Sequence, residues 1–282
     1  MKLLTLTNGL TIPAVGFGTY KATAGEGESV ILDALRAGYR YFDTASFYGN
    51  EEIIGSALAK SGIPRRDLFI ASKVWKTEMG YEPARAALEH SLKRLDTDYL
   101  DVYLIHWPRT DPADADWVPR LSETWRALED AYRDGKVRAI GLSNCLPHHL
   151  DVVLKSGTLP PAVDQIEFHP GYLQMETVTT CQNLGIQVQA WSPMGRARVL
   201  QNPLLCEIAG KYGVSTAQVC LKFALQMGVM PLPKASSFER MRQNLDLDGF
   251  VLEPEDMERL KEMPRTGWSG EHPDRERVPV DS

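Results

Sequence analysis

Four titratable side chains at the ends of successive predicted strands could together donate a proton to a carbonyl group. Asp43, Lys73 and His106 each lie at or near the end of a short apolar or β-branched run, and Tyr48 lies in the loop after Asp43. A phenol has a pKa of about 10, too high for an efficient acid at neutral pH, but a neighbouring ammonium such as that of Lys73 lowers it. Asp43 would keep Lys73 charged, and His106 would orient the carbonyl oxygen by a hydrogen bond. The four side chains therefore predict a proton-donating tyrosine.

Each of these side chains also has a structural interpretation when it is taken alone. Asp43 and Lys73 at strand ends could form an ordinary ion pair, and Tyr48 could simply pack in its loop. Their occurrence together, on three successive strands, favours the catalytic interpretation.

The elements that position these side chains repeat along the chain as a predicted strand, a turn and a pattern typical of an amphipathic helix. The eight predicted strands are Val15–Thr19, Arg40–Asp43, Leu68–Val74, Leu100–His106, Val137–Leu142, Val163–Glu167, Ile186–Trp191 and Val229–Pro233. A doubly wound sheet alternates in the same way, but eight units indicate an α/β fold of the closed (β/α)8, or TIM, barrel type. In such a barrel the active site lies at the carboxyl ends of the strands.

Further segments complete the predicted fold. Residues 4–12 are two alternating runs joined by Asn8-Gly9, which predicts a β-hairpin over the lower end of the barrel. The interval before the last predicted strand is long enough for an extra helix, and the segment around Trp268 is expected to form a loop over the barrel mouth. Because no linker or low-complexity tract divides the chain, we expect residues 1–282 to form one domain.

The composition is that of a soluble globular protein and argues against several classes of function. The 282 residues carry a net charge of −6. This charge disfavours non-specific electrostatic binding to nucleic acid or to an anionic membrane, but it is compatible with a local basic site. No run approaches the ~20 apolar residues that span a bilayer, and residues 1–11 lack a signal-peptide pattern. The four cysteines show no CxxC spacing. We therefore expect a cytoplasmic protein.

Three motifs occur in order along the chain. Residues 38–45 read Gly-Tyr-Arg-Tyr-Phe-Asp-Thr-Ala, residues 136–144 read Lys-Val-Arg-Ala-Ile-Gly-Leu-Ser-Asn, and residues 232–235 read Leu-Pro-Lys-Ala, followed by Arg240, Gln243 and Asn244. In this order they resemble the three signatures of the aldo-keto reductase family. The short loop after Pro108 is similar to that of the family's diketogluconate reductases and prostaglandin F synthases.

The resemblance implies an oxidoreductase that reduces aldehydes and ketones to alcohols with NADPH. Asp43, Tyr48, Lys73 and His106 would then be the catalytic tetrad, with Tyr48 as the general acid and without a metal. The family binds its dinucleotide across a barrel mouth, which accounts for the missing GxGxxG motif. We expect a small-molecule carbonyl substrate and a monomer, with no nucleic-acid or membrane partner.

The resemblance also implies cofactor contacts, residue by residue. Ser143, Asn144 and Gln165 match residues that hydrogen-bond the nicotinamide carboxamide, and Trp191 matches the aromatic residue that stacks on the nicotinamide ring. The other implied contacts are Ser192, Met194 and Gly195 at the pyrophosphate, Lys234 and Arg240 at the adenosine 2′-phosphate, Asn244 at the adenine, and Gln243 beside it in sequence.

Two positions depart from the family pattern. Ala235 stands where the family has Ser or Thr, so one phosphate hydrogen bond is lost unless Ser236 or Ser237 replaces it. NADPH is therefore expected as the cofactor, with NADH as a weaker alternative. Cys145 replaces the aromatic residue that usually follows the second signature, and we interpret it as a packing change.

The substrate pocket is expected to have an aromatic wall. By resemblance the wall comprises Tyr20, Phe47, Trp75 and Trp107 beside His106, with Trp268 contributed by the carboxyl-terminal segment. Aromatic walls with few polar groups suit hydrophobic or modestly polar carbonyl compounds.

Two other functions and one metal site are alternatives to this interpretation. An NADPH-binding sensor of the same fold would bind the cofactor with little turnover, although we would expect a long amino-terminal extension in such a protein. An isomerase or aldolase would use Lys73 to form a Schiff base, which leaves the cofactor contacts unexplained. His148 and His149 lie close to Cys145 in the sequence, but no fourth ligand is evident, so a zinc site is not expected.

Overall fold

Eight parallel strands form the central sheet of a computed structural model, which describes residues 2–25 and 27–280; Met1, Glu26, Asp281 and Ser282 lie outside the described residues. The strands are β3 (Phe17–Gly18), β4 (Tyr41–Asp43), β5 (Phe69–Val74), β6 (Val102–Ile105), β7 (Ile140–Ser143), β8 (Val163–Glu167), β9 (Gln187–Trp191) and β10 (Met230–Pro231). They pair in chain order. Backbone hydrogen bonds from Gly16 N to Pro231 O (3.1 Å) and from Gly18 N to Pro233 O (3.0 Å) join the first strand to the last. The predicted (β/α)8 barrel is confirmed, and each of its strands lies at a predicted run.

Helices alternate with these strands on the outside of the barrel. Those of the described residues are α1 (Ser29–Ala37), α2 (Glu51–Lys60), α3 (Tyr81–Leu95), α4 (Trp117–Arg133), α5 (Pro147–Ser156), α6 (Met175–Asn183), α7 (Pro203–Tyr212), α8 (Thr216–Gln226), α9 (Phe238–Leu245) and α10 (Pro254–Lys261). Both α7 and α8 lie between β9 and β10, so the extra helix predicted there is present. Within the described residues no helix has the length and apolar character needed to cross a membrane.

The predicted hairpin consists of β1 (Leu3–Thr5) and β2 (Thr11–Pro13), which pair antiparallel. Its turn residue Asn8 donates a hydrogen bond from Nδ2 to Arg138 O (2.8 Å), just before β7 begins. The hairpin therefore covers the amino-terminal end of the barrel, opposite the end where the active site is expected. Its buried side chains close an inner core with residues of the strands: Leu6, Leu10, Ile12, Tyr41, Ala71, Val102, Leu104, Ala139, Ala162, Val163, Met230 and Leu232.

A second and larger hydrophobic core fills the space between the sheet and the helices. Leu88, Leu92 and Leu95, spaced at i, i+4 and i+7 on α3, are all buried in it, as their periodicity predicts. Because both cores are apolar, the polar side chains at the strand ends stand out as buried groups that need hydrogen-bond partners. They are concentrated at one end of the barrel.

Candidate active site

The tetrad residues come together at the carboxyl end of the barrel. Lys73, in β5, is fully buried and donates hydrogen bonds from Nζ to Asp43 Oδ1 (2.8 Å) and Oδ2 (2.7 Å) at the end of β4. The same ammonium donates to Thr44 O (2.9 Å) and to the hydroxyl of Tyr48 (3.4 Å). Tyr48 ends a single 3₁₀ turn, Ser46–Tyr48, which turns its ring back toward the strand ends. The sequence predicted that Asp43, Lys73 and Tyr48 would meet here, because each lies at a predicted strand end or in the loop after it.

The electrostatics of Tyr48 differ from the expectation. Burial, followed by the negative charge of Asp43, holds the pKa of the phenol well above 10. Burial also lowers the pKa of the Lys73 ammonium, while its contacts with Asp43 oppose that shift. The predicted lowering of the phenol pKa was therefore wrong, because burial, followed by the negative charge of Asp43, outweighs the nearby positive charge. Tyr48 therefore keeps its proton at neutral pH, so the site holds a protonated phenol.

His106 follows β6 directly and faces the same space. Its ring makes edge contacts with Tyr48 (5.6 Å between ring centroids) and with Trp75 (5.0 Å). Burial, and then the positive charge of Lys73, holds the pKa of the imidazole well below 6.5, so the ring is neutral at neutral pH. Its Nδ1 is buried and has no hydrogen-bond partner among the described residues. A neutral imidazole in this place can donate one hydrogen bond to a substrate oxygen.

A chain of hydrogen bonds that the sequence did not reveal supports the Asp43–Lys73 pair. Thr19 Oγ1 donates to Asp43 O (2.8 Å), and Asn50 Nδ2 donates to Thr19 O (3.0 Å). Thr44 Oγ1 in turn donates to Asn50 Oδ1 (2.7 Å). All three polar side chains are buried. The sequence signals only two of them by position, since Thr19 ends one predicted strand and Thr44 directly follows the next.

A second support joins the two loops that carry the aromatic wall. The Glu78 carboxylate accepts hydrogen bonds at Oε2 from Ser46 Oγ (2.8 Å) and from Trp75 N (3.0 Å). Because Ser46 lies two residues before Tyr48, this carboxylate connects the tyrosine loop to the loop after β5.

The three residues assigned to the nicotinamide carboxamide form one cluster with the tetrad. Gln165 Nε2 donates to Asp43 Oδ1 (2.8 Å), and Ser143 Oγ donates to Gln165 O (2.8 Å). Asn144 Nδ2 donates to His106 O (2.9 Å). Asn144 has φ +58°, a conformation that non-glycine residues seldom adopt and that concentrates at functional sites. Amide and hydroxyl side chains therefore lie together beside Asp43 and His106, and groups of these types suit a carboxamide ligand.

Trp191 lies at the end of β9 and is tied into this cluster. Its indole Nε1 donates to Asn144 Oδ1 (2.8 Å), which orients the ring at the barrel mouth. The next residues enter a tight loop in which Ser192 (φ +49°) and Gly195 (φ +55°) have left-handed backbone conformations, with Met194 half-buried between them.

Arg196 is a residue of this site that the sequence analysis missed. Its guanidinium lies over the Trp191 ring at 5.8 Å and is close enough to Tyr48 to act on the pKa of the phenol. The sequence feature that could have indicated Arg196 is its position directly after Gly195, the glycine assigned to the pyrophosphate.

Basic side chains, among them Lys234 and Arg240, lie in the segment where the adenosine 2′-phosphate is expected to bind. Lys234 Nζ donates to Lys21 O (2.9 Å), and burial together with the charge of Lys21 lowers the pKa of Lys234. Ser237 caps α9 by accepting a hydrogen bond from Arg240 N (3.4 Å). The side chains of Ser236, Arg240 and Gln243 are exposed. Lys21, which the sequence analysis missed, adds a cation that suits a phosphate group.

Asn244 lies apart from these exposed side chains. It is buried within α9, beside the phenol of Tyr39. Its assignment to the adenine stays a prediction.

The aromatic wall is assembled around Tyr48 and His106. Phe47 stacks on Trp75 with ring centroids 3.8 Å apart, and Tyr20 packs on Tyr48 at 4.9 Å. Phe47 is 52% exposed and Tyr20 is 43% exposed, so both rings are accessible beside Tyr48 and His106.

The two remaining residues of the predicted wall are placed differently. Trp107 is half-buried next to His106 in the chain. Trp268 packs on Tyr172 (5.9 Å) and under the guanidinium of Arg265 (3.9 Å), on the side of the loop after β8.

His148, His149 and Asp274 bring three possible metal ligands together, with their ligand atoms within 4.8 Å of one another. His149 Nδ1 accepts a hydrogen bond from Leu146 N (3.0 Å), which leaves the proton on Nε2, and that atom lies 3.0 Å from Asp274 Oδ1. Nε2 therefore donates to the carboxylate and has no lone pair for a metal. Arg109 beside the same carboxylate also disfavours a cation.

Comparisons with known proteins place the chain among enzymes. The profile of the Aldo/keto reductase family matches residues 14–265. Glyoxal reductase of Bacillus subtilis (strain 168) is 44% identical over 270 residues, 95% of this chain and 95% of that protein. The 9,11-endoperoxide prostaglandin H2 reductase of Trypanosoma cruzi (strain CL Brener) is 38% identical over 96% of this chain and 94% of that protein. The crystal structure of an aldo/keto reductase from Brucella melitensis matches with a TM-score of 0.86 and 37% identity, over 92% of this chain and 98% of that one. The chain belongs to the aldo-keto reductase family of oxidoreductases.

Proposed function

We propose that this chain reduces aldehydes and ketones to alcohols with NADPH, and that Tyr48 donates the proton. The observation that carries the proposal is the convergence of a protonated phenol, a neutral imidazole and a cluster of amide side chains at one barrel mouth. We further propose that residues 1–282 act as one cytoplasmic, monomeric domain. NADPH bound with its nicotinamide at Asn144 and Gln165 would supply the hydride to the carbonyl carbon.

The residues of the chain would handle the proton and the developing charge. His106 donates a hydrogen bond to the carbonyl oxygen and orients it toward the Tyr48 hydroxyl. As negative charge grows on that oxygen, its basicity rises and the Tyr48 proton moves to it. The phenolate that remains is stabilised by Lys73, which already donates a hydrogen bond to the Tyr48 oxygen. The raised phenol pKa is compatible with this step because the proton leaves only as the charge develops.

The basic groups along the mouth support NADPH as the preferred cofactor. Lys234 and Arg240 offer charge to a 2′-phosphate, and the neighbouring Lys21 adds to the positive potential. Ser236 and Ser237 are both exposed candidates to replace the hydroxyl missing at Ala235, because Ser237 caps α9 as an acceptor and keeps its hydroxyl proton to donate. NADH, which lacks the phosphate, would bind more weakly.

The exposed aromatic wall supports hydrophobic or modestly polar carbonyl substrates. Small α-dicarbonyl compounds belong in the first assay because a similar protein is named glyoxal reductase. The alternative Schiff-base chemistry is disfavoured because Lys73 is fully buried and its Nζ already has four oxygen neighbours, two of them on one carboxylate.

The test is to follow NADPH oxidation by its absorbance with a panel of aldehydes, α-dicarbonyls and keto sugars, repeated with NADH. Turnover with NADPH is expected, with higher kcat/KM than with NADH. Tight NADPH binding without turnover of any compound would contradict the reductase and favour a sensor. Absence of binding would contradict both. A covalent adduct on Lys73 after borohydride treatment with a carbonyl compound would favour the aldolase chemistry instead.

A further inference from the structure

The carboxyl-terminal tail, residues 264–280, is attached to the barrel mouth at two separate places. The first is the end of β8, where the buried Glu167 carboxylate accepts hydrogen bonds from Ser269 N (2.9 Å) and Ser269 Oγ (2.6 Å). Nearby, Thr266 N donates to Gly171 O (3.1 Å). The second is Asp274, five residues beyond Ser269.

Asp274 is held by side chains from two other parts of the mouth. His149 Nε2 donates to its Oδ1 (3.0 Å), and His148 Nε2 lies 3.2 Å from its Oδ2. Both histidines belong to the first turn of α5, which follows β7. Arg109 Nε, in the loop after β6, lies 3.1 Å from Oδ1 as an ion pair. We call the four residues Arg109, His148, His149 and Asp274 the tail clasp.

An aromatic side chain packs against the clasp residues. Trp117, the first residue of α4, lies under the Arg109 guanidinium at 4.5 Å and meets the His149 ring edge-on at 5.1 Å. His149 is fully buried, so its donated hydrogen bond to Asp274 lies away from water. The clasp is therefore a built contact between four elements rather than a chance pairing on the surface.

The path of the tail follows from the two attachments. Strands β6, β7 and β8 are neighbours in the barrel, with a spacing of about 4.8 Å between adjacent strands. Five residues reach up to about 17 Å when extended, which is enough to cross from β8 to the loop after β6. The tail thus runs from the end of β8 to the loop after β6, where Asp274 pairs with Arg109, a residue three positions after His106.

We propose that Asp274 is a positioning residue for the substrate side of the active site. By holding Arg109 it fixes the loop that carries His106 and Trp107, and it fixes the tail along the rim beside that loop. The proposal rests on the carbonyl-reductase function proposed above and adds a determinant of substrate size. A bulky aromatic carbonyl compound would contact this rim when it binds, whereas a compound as small as glyoxal would contact little of it.

The test compares D274N with E271Q, using the full chain. Glu271 pairs with Arg277 (3.3 Å) inside the tail, so E271Q makes the same chemical change without touching the barrel. We expect D274N to raise KM for 4-nitrobenzaldehyde by about tenfold, with a smaller effect for glyoxal, and D274E to restore part of the loss. The Kd for NADPH, measured by fluorescence titration, should stay within about twofold. E271Q should behave as the unmodified chain does.

Hydrogen exchange provides a readout that does not depend on turnover. In D274N, we expect faster exchange over residues 270–280, while the amides of Thr266 and Ser269 stay protected by the first attachment. Unchanged exchange in D274N would show that the clasp does not hold the tail. Faster exchange with unchanged KM values would show that it holds the tail without positioning the site. Either result overturns the proposal.

Failure of the proposed function itself would look different, because the unmodified chain would then turn over no carbonyl compound. If D274N does not fold, R109Q removes the opposite partner and carries the same expectations.

Discussion

The ammonium of Lys73 lies 3.4 Å from the hydroxyl of Tyr48, farther than the 2.7 Å that separates it from the nearer oxygen of Asp43. The ammonium is therefore paired first with the carboxylate and only secondarily with the phenol. Burial and the charge of Asp43 keep the phenol protonated, and the ammonium lies where it would stabilise a phenolate in the proposed proton transfer.

Tyr48→Phe removes the transferable proton while retaining the ring that packs on Tyr20. We expect kcat for carbonyl reduction to fall by about 10²–10⁴-fold, because general acid catalysis typically contributes that much. NADPH affinity, measured by fluorescence titration, should be nearly unchanged. Full activity in this variant would remove Tyr48 from the role of acid.

Lys73→Met breaks the buried pair and leaves the Asp43 carboxylate without its cation. We expect a loss of about 3–5 kcal/mol in the free energy of unfolding, measured with a chemical denaturant at pH 7.5, and a loss of turnover. The double variant Asp43→Asn with Lys73→Met should recover much of the stability and none of the activity, since it removes the unpaired charge but not the defect in the site. Equal stability of the single and double variants would contradict the ion-pair argument.

Lys234→Ala combined with Arg240→Ala tests the phosphate assignment. We expect KM for NADPH to rise by at least about tenfold and KM for NADH to change by less than about twofold, because only NADPH carries the 2′-phosphate. Steady-state kinetics at fixed ionic strength would measure both. As a control, Lys155→Ala removes a cation of α5 that is 80% exposed and pairs only loosely with Asp151 (3.7 Å). An equal rise of KM for the two cofactors would refute the assignment.

Asp164, in β8, is a buried carboxyl that the proposed chemistry does not use. Burial raises its pKa from 3.8 to about 7, and its Oδ1 has no hydrogen-bond partner among the described residues. Because the folded protein binds this proton more tightly than the unfolded chain, stability falls as the pH rises from about 4 to about 7 and is level above that range.

Asp164→Asn, which resembles the protonated form, should therefore stabilise the protein at pH 8 and by much less at pH 5. The gain at pH 8 would be on the order of 4 kcal/mol at most, measured by denaturant unfolding at both values. Asp151→Asn is the matched control, because the Asp151 side chain is 65% exposed. A gain that is the same at pH 5 and pH 8 would contradict the raised pKa.

Much of the fold could be predicted because its signals are local. The alternation of strand runs with helical periodicity, seen in Leu88, Leu92 and Leu95, depends only on neighbours in the chain. Eight such units leave few topologies, and the barrel then places every strand end at one mouth. The meeting of Asp43, Lys73 and Tyr48 follows from this rule without knowledge of any distance.

The remaining features depend on residues that are distant in sequence. The pKa of Tyr48 was predicted in the wrong direction because it is set by burial and by the balance between two opposite charges. Lys21 and Arg196 join the site through left-handed backbone conformations (φ +55° each) that no pattern in the sequence indicated.

The sequence by itself determined the barrel, the order of its strands and the residue types at its mouth, because side-chain periodicity and strand ends are local properties. Only the tertiary structure decided the protonation of Tyr48 and His106 and the attachment of the tail, since these depend on distances and burial. Asp274 meets His149 across 125 positions of the chain, and only the folded barrel brings such residues within hydrogen-bond distance.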